Sequence, residues 1–296
     1  MPRETKGTVT AWLATALACA LIGTSPGMAC DNTHRFATFS LPAPALGHMK
    51  RILVYLPPGY DCTARRYPVL YLNDGHDLFE WNPFATDLEP ALAAEIAARE
   101  GWYGSWRLDE QLDRALAEGT LPAMLVVGIA ADDGLRSRDL APVPWDGSAE
   151  ARGSAYAAFV ARTVVPAVDR AFRTIASARC RGIGGASLGG VSALHIALAY
   201  PEAFGVAFAL SPLLRDPALA GSLAGLWRRA GGAGPRVLID VDDDPVGHAD
   251  RQWLSVVGTG LRTMVAQTPG GRHAIASWAE RVIPALHALF EGRCAG

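Results

Sequence analysis

The stretch R-G-I-G-G-A-S-L-G-G-V-S-A-L-H-I-A-L-A, Arg181–Ala199, joins a short apolar run to an Ala/Leu-rich run across a serine flanked by glycines. The first part reads as a strand and the second as a helix. Between them lies a G-x-S-x-G motif, Gly185-Ala186-Ser187-Leu188-Gly189. A serine on so tight a strand-to-helix turn takes a strained backbone conformation that exposes its hydroxyl. The neighbouring positions are glycine because a side chain there would collide with strand or helix. The helix start also aims N–H groups and a positive dipole end at the same point. Five letters recur by chance in a chain with 31 glycines, so the strand–turn–helix setting carries the reading of Ser187 as a nucleophile.

Outward from this turn, further apolar runs read as strands: Phe36–Leu41, Arg51–Leu56, Val69–Leu72, Ala123–Ile129, Cys180–Gly185, Val206–Leu210, Arg236–Val241 and Thr263–Gln267. Many are continuous rather than alternating, as expected of parallel strands covered on both faces. Helical patterns fall between them at Leu88–Arg99, Arg107–Glu118, Gly153–Phe172 (with Pro166 as a kink or break), Leu188–Tyr200 and Ser277–Phe290. The alternation predicts a mostly parallel sheet with right-handed crossovers, an α/β-hydrolase layout. The short loop between the first two strands predicts an antiparallel start. Glu80–Gly104, which includes Trp81, follows a strand end and is expected to wall a pocket there.

A length of 296 residues suits one large α/β domain or two small ones. The net charge of −2 and pI near 6.4 give no reason to expect nucleic acid or an anionic membrane as partner. The first residues predict a targeting segment. Arg3 and Lys6 precede the apolar run Ala11–Gly23, which has signal-peptide length, and Gly27 and Ala29 allow cleavage before Cys30. The expected organisation is a signal peptide at 1–29 and one hydrolase domain at 30–296. This implies an exported protein, periplasmic or secreted. An uncleaved anchor and a lipid anchor on Cys30 are the alternatives, and Gly27 stands where a lipobox has leucine. Removing the segment takes Cys19 and leaves Cys30, Cys62, Cys180 and Cys294, an even set that suggests two disulfides. Of three pairings, Cys30–Cys62 with Cys180–Cys294 is favoured.

A serine hydroxyl needs a base, and the base an orienting carboxylate. In this fold the chain order is nucleophile, acid, histidine. The run V-L-I-D-V-D-D-D-P, Val237–Pro245, supplies the acid. Asp240 falls inside the strand; Asp244 is favoured, with Asp242 next and Asp243 also available. A calcium site is the competing reading of such a run, but the glycine and glutamate of an EF-hand loop are missing, so no metal is expected. The histidine comes from G-G-R-H-A-I-A-S-W, Gly270–Trp278, which makes His273 the base. His248 is its competitor. The oxyanion hole draws one N–H from Leu188 and the other from the loop that ends V-L-Y-L-N-D-G-H-D-L-F, Val69–Phe79, where the N–H of His76 is chosen.

The chain resembles the putative esterase family of α/β hydrolases, which includes enterochelin esterase-like proteins, S-formylglutathione hydrolase (esterase D) and mycolyltransferases. The matching segments are Y-L-P-P-G-Y (Tyr55–Tyr60), Y-P-V-L-Y-L-N-D-G (Tyr67–Gly75), W-R-L-D-E-Q-L-D (Trp106–Asp113), L-V-V-G-I (Leu125–Ile129), R-S-R-D-L-A-P (Arg136–Pro142), G-G-A-S-L-G-G and G-G-R-H…W. The resemblance implies Ser187 and His273 as catalytic residues and hydrolysis of a carboxylic ester. It departs from the family at the acid loop, which usually has a glycine near the place of Asp242, and at Ile275, where tryptophan is frequent. Arg136 and Asp139 match a polar pair of the family that either touches substrate or braces its own loop. Arg136 and Trp81 are the substrate-binding candidates. The expected activity is therefore an exported serine esterase on a small-molecule ester (siderophore, aryl or acyl), needing no cofactor. The alternatives are an acyltransferase using the same acyl-enzyme and a non-catalytic binding protein on a hydrolase fold.

Overall fold

Eight strands form a single sheet in the order β1-β2-β4-β3-β5-β6-β7-β8. They are β1 (Phe36–Ala43), β2 (His48–Tyr55), β3 (Val69–Asn73), β4 (Leu125–Ile129), β5 (Arg181–Ala186), β6 (Val206–Leu210), β7 (Arg236–Val241) and β8 (Thr263–Gln267). The structure is a computed structural model and describes residues 35–81, 104–131, 134–145, 147, 150–231, 234–257 and 263–294. The segment expected as a signal peptide, the helix expected at Leu88–Arg99 and Cys30 lie outside the described residues. β1 runs antiparallel to β2, and β2 to β4; every later pairing is parallel. The antiparallel start and the parallel remainder match the sequence pattern. β3, β4, β5 and β6 are buried along their whole length, which is why their sequences are continuous apolar runs without alternation.

Among the described residues the α-helices are α1 (Leu108–Ala117), α2 (Arg136–Leu140), α3 (Gly153–Phe159), α4 (Val165–Ala171), α5 (Leu188–Ala199), α6 (Pro217–Ala230), α7 (Pro245–Val257) and α8 (Ile275–Phe290). Two apolar clusters cover the sheet. One holds Tyr156, Val164, Leu194, Leu223 and Trp227, from α3 to α6; the other holds Leu108, Leu112, Trp278, Val282 and Leu289, from α1 and α8. α5 has no polar face: residues 188–198 are all buried, as expected of a helix covered on every side.

The helix expected at Gly153–Phe172 is a composite. A π-helical turn, Val160–Val164, links α3 to α4, and the N–H of Val165 reaches back to the carbonyl of Val160. Pro166 lacks an N–H and its ring would strike the carbonyl four residues back, so the turn widens at that point. Three helices, α2, α6 and α7, occupy stretches the sequence pattern leaves as loops. Two of them carry an N-terminal signal of the same form. Asp216 caps α6 by accepting from the N–H groups of Ala218 and Leu219, with Pro217 at the first position. Asp244-Pro245 repeats this at α7, where Asp244 Oδ1 accepts from the N–H of Gly247 at 2.8 Å. Cys180, at the foot of β5, is bonded to Cys294 beyond α8, as expected. Cys62 is also disulfide-bonded; its expected partner, Cys30, lies outside the described residues. Among the described residues no helix is long and apolar enough to cross a membrane.

Candidate active site

Ser187 sits between β5 and α5 with φ 56° and ψ −130°. This is a strained conformation for a residue with a side chain. It is held by its own N–H, which donates to the carbonyl of Leu210 in β6 at 2.9 Å, and by its carbonyl, which accepts from Gly190 and Val191 in the first turn of α5. The flanking glycines are sterically required. A Cβ on Gly185 would lie 2.7 Å from the backbone of Gly189, and one on Gly189 would lie 2.5 Å from Asp74 Oδ2.

His273 Nε2 lies 2.9 Å from Ser187 Oγ, and His273 Nδ1 lies 3.3 Å from Asp242 Oδ2. A carboxylate only accepts, so Nδ1 carries the proton and Nε2 is left to accept from the serine hydroxyl. The three residues come from the carboxyl ends of β5, β7 and β8 or the loops beyond them, where open α/β sheets place their ligands. The carboxylate that faces the histidine is Asp242 rather than the favoured Asp244. The reason is local: Asp244 is engaged as the cap of α7. Asp243 ties the acid loop to the histidine loop, its N–H donating to the carbonyl of Gly271 and its Oδ2 accepting from the N–H of Gly270. The competing histidine, His248, lies on α7 and is largely exposed, 3.9 Å from Asp243.

Asp242 is fully buried and its second oxygen is occupied. Oδ1 accepts from Ser211 Oγ and, at 2.9 Å, from Arg281 Nη2. Ser211 Oγ in turn accepts from Trp278 Nε1 and Arg281 Nη2, both at 2.8 Å. One hydroxyl thus uses its single proton and both lone pairs. The Trp278 ring meets the His273 ring edge to face at 5.1 Å. Burial acts to raise the Asp242 carboxyl, but hydrogen bonds from His273 and Ser211 and the charge of Arg281 outweigh it and hold it below the usual range.

On the other side of the serine, β3 ends in a turn. Asp74 is in the left-handed region (φ 57°), and Gly75–Asp77, which contains His76, forms one turn of 3-10 helix. β3 is the direct neighbour of β5, so the turn abuts the elbow. Asn73 Nδ2 donates to the carbonyl of Gly189 at 2.8 Å, and the Tyr156 hydroxyl donates to Asn73 Oδ1 at the same distance. Arg136 grips Asp74 with two nitrogens, Nε to Oδ1 at 2.6 Å and Nη2 to Oδ2 at 2.8 Å. Asp139, one helical turn on, is fully buried against His48 Nε2 at 2.8 Å and Lys50 Nζ at 3.0 Å. Both members of this polar pair are thus engaged within the protein. Leu188 opens α5 directly after the serine, and His76 lies in the turn that follows β3. Trp81 is half exposed and its ring packs on Phe36 at 5.0 Å. Ile275 is buried as the first residue of α8. Among the described residues no group of three or more His, Cys, Asp or Glu side chains is arranged to hold a metal ion.

Ser211 and Arg281 were not visible as site residues in the sequence, although Arg281 interrupts the apolar stripe Trp278, Val282, Ala285 and Leu289 of α8. A charged residue on an otherwise apolar stripe is the signal that marks it.

The parallel sheet with a serine, a histidine and an aspartate linked at its carboxyl edge defines an α/β-hydrolase-fold protein with a triad geometry. The chain belongs to the Putative esterase family, whose model matches residues 43–281. Among solved structures it is similar to a ferulic acid esterase (TM-score 0.56, 19% identity, covering 86% of this chain and 98% of that one). It is also similar to ferric enterobactin esterase from Salmonella typhimurium (TM-score 0.64, 18% identity, covering 88% of this chain and 59% of that one). These similarities establish the fold. The uncharacterised Bacillus subtilis protein YbbA is 23% identical over 164 residues, 53% of this chain and 54% of that protein. The chain spans about half the length of the curated relatives it matches.

Proposed function

We propose that this protein is an exported serine esterase acting on a small-molecule carboxylic ester. The observation that carries the proposal is the hydrogen-bonded chain Ser187–His273–Asp242. Ser187 Oγ attacks the ester carbonyl carbon while its proton passes to His273 Nε2. Asp242 holds the ring through Nδ1–H and stabilises the imidazolium that forms. The negative charge on the carbonyl oxygen falls to the N–H groups of Leu188 and His76. The tetrahedral intermediate collapses, His273 gives its proton to the departing alkoxide, and an acyl-enzyme remains. Water then attacks the acyl carbon, His273 takes a proton from it, and Ser187 leaves as the alcohol with that proton. Every proton is returned and no cofactor is consumed.

Membership of an esterase family and the ferulic acid and enterobactin esterases among its structural neighbours support aryl and siderophore esters as the substrate classes to try first. Export is supported by the Cys180–Cys294 disulfide, a bond that persists in oxidising compartments. The test is turnover of short-chain aryl esters by the purified protein and by Ser187→Ala. The variant is expected to lose roughly 10³-fold or more in kcat. Equal turnover by the two proteins overturns the proposal.

A further inference from the structure

Arg281 is a buried cation with an unusual position. It is 2% exposed, and it approaches the acid from the side opposite the histidine. Nη2 donates to Asp242 Oδ1 (2.9 Å), to Ser211 Oγ (2.8 Å) and to the carbonyl of Arg272 (3.1 Å), the residue next to His273. Nε donates to the carbonyl of Ser277 at 3.1 Å. Nη1 has no hydrogen-bond acceptor among the described residues and lies 3.6 Å from Asp240 Oδ1. One guanidinium therefore ties together the acid, the strand end that carries it, the histidine loop and the helix that follows.

The charge matters as much as the ties. A triad acid favours the imidazolium in proportion to its own negative charge. A guanidinium on the back of that carboxylate offsets part of this charge, and in a buried site the effect is weakly screened. Among the described residues, the neighbouring charged groups have partners or solvent of their own. Asp243 is engaged with the Gly270 N–H and Gln267. Arg272 is exposed. Asp250 on α7 is paired with Arg215. Across the serine, Asp74 is paired with Arg136, and His76 lies 3.5 Å from Asp77. Asp240, which accepts from Thr268 Oγ1 at 2.8 Å, is the carboxylate that offsets Arg281 itself.

We propose that Arg281 is a positioning residue that, by occupying the far oxygen of Asp242, orients the acid and keeps His273 neutral, and so able to act as a base, to lower pH. This rests on the triad reading above and deepens it into a statement about the pH range of the site. Removing a buried unit charge from the far oxygen of the acid, partly offset as it is by Asp240, is expected to change the titration readouts by roughly one pH unit.

The test reads His273 in two ways. The acid limb of kcat/KM against pH reports the free enzyme's base, and NMR titration of the assigned His273 ring reports the same group without any substrate. In Arg281→Met both are expected to move up by about one pH unit. In Arg281→Lys the charge is kept without the planar fork, so the acid limb stays near that of the parent while the plateau falls. In Asp240→Asn, where the offsetting carboxylate is gone, both readouts move down, by a smaller step. An unmoved or downward titration in Arg281→Met, or a shift as large in Arg281→Lys, overturns the proposal. Should Arg281→Met fail to fold, Arg281→Gln, which keeps N–H donors without the charge, decides by the same upward shift. A protein with no esterase turnover still yields the His273 titration, so failure of the activity and failure of this inference are separable.

Discussion

Asp242, Asp243 and Asp244 are three identical side chains in a row with three different partners. The first faces His273, the second clamps Gly270, and the third caps α7. Their effects on substitution should separate in the same way. Asp242→Asn is expected to cost roughly 10³–10⁴-fold in kcat, since the histidine loses the acceptor that fixes its tautomer. Asp244→Ala should leave kcat within a small factor and cost about 1 kcal/mol of stability, the usual loss of an N-cap. Aryl ester kinetics paired with denaturant midpoints check both; comparable losses of kcat in the two variants would contradict the assignment of the acid. The Asp-Pro pair is a helix-start signal in its own right, and an aspartate committed to capping a helix is not free to orient a histidine.

At the scale of elements, α5 illustrates what packing on all sides does to a polar side chain. His195 is 9% exposed on this helix, and its Nδ1 has no hydrogen-bond partner among the described residues. Burial, with a contribution from Arg229, pushes its pKa down to about 4. The unfolded chain takes up this proton near pH 6.5 and the folded chain only near 4, so stability falls as pH drops through that window. The sum is roughly 2–3 kcal/mol by pH 4. His195→Phe should flatten the dependence of Tm on pH between about 6.5 and 4, and an unchanged slope would refute the burial argument. The ion-paired segment beside the turn after β3 is a second element-scale device. Lys50 and Asp139 are both buried, and Asp139 anchors the five-residue helix that carries Arg136 to Asp74. Lys50→Met removes one of two close donors from a buried carboxylate that keeps His48, and is expected to cost about 1–3 kcal/mol, measured by chemical denaturation. A change under about 1 kcal/mol would mean that solvent screens the pair.

For the whole molecule, the Cys180–Cys294 bond encloses the serine, the acid and the histidine within one covalent loop, its ends 114 residues apart. Tying β5 to the end of the chain restricts the unfolded state far more than the folded one. Replacing both cysteines, Cys180→Ala with Cys294→Ser, is expected to cost about 2–5 kcal/mol with little change in kcat at temperatures where the variant stays folded. Comparing Tm and aryl ester turnover for the two proteins checks this, and an unchanged Tm would contradict it.

Much of this architecture was legible in the chain itself. Strand positions followed from continuous apolar runs, because parallel strands under two layers of helix have no wet face to encode. Ser187 and His273 followed from glycine patterns, because only a residue without Cβ fits where the backbone of Gly185 meets that of Gly189. The acid was not legible, because the choice among adjacent aspartates depends on which way each side chain points after α7 docks. Ser211 and Arg281 were hidden for the same reason: they are 31 and 39 residues from Asp242 along the chain and meet it only through the packing of β6, β7 and α8. Local sequence determined the elements and the tight turn at Ser187, since these depend on backbone geometry within a few residues. The tertiary structure alone decided the partners of Asp242, since hydrogen bonds and charge in a buried site depend on distances that only long-range packing sets.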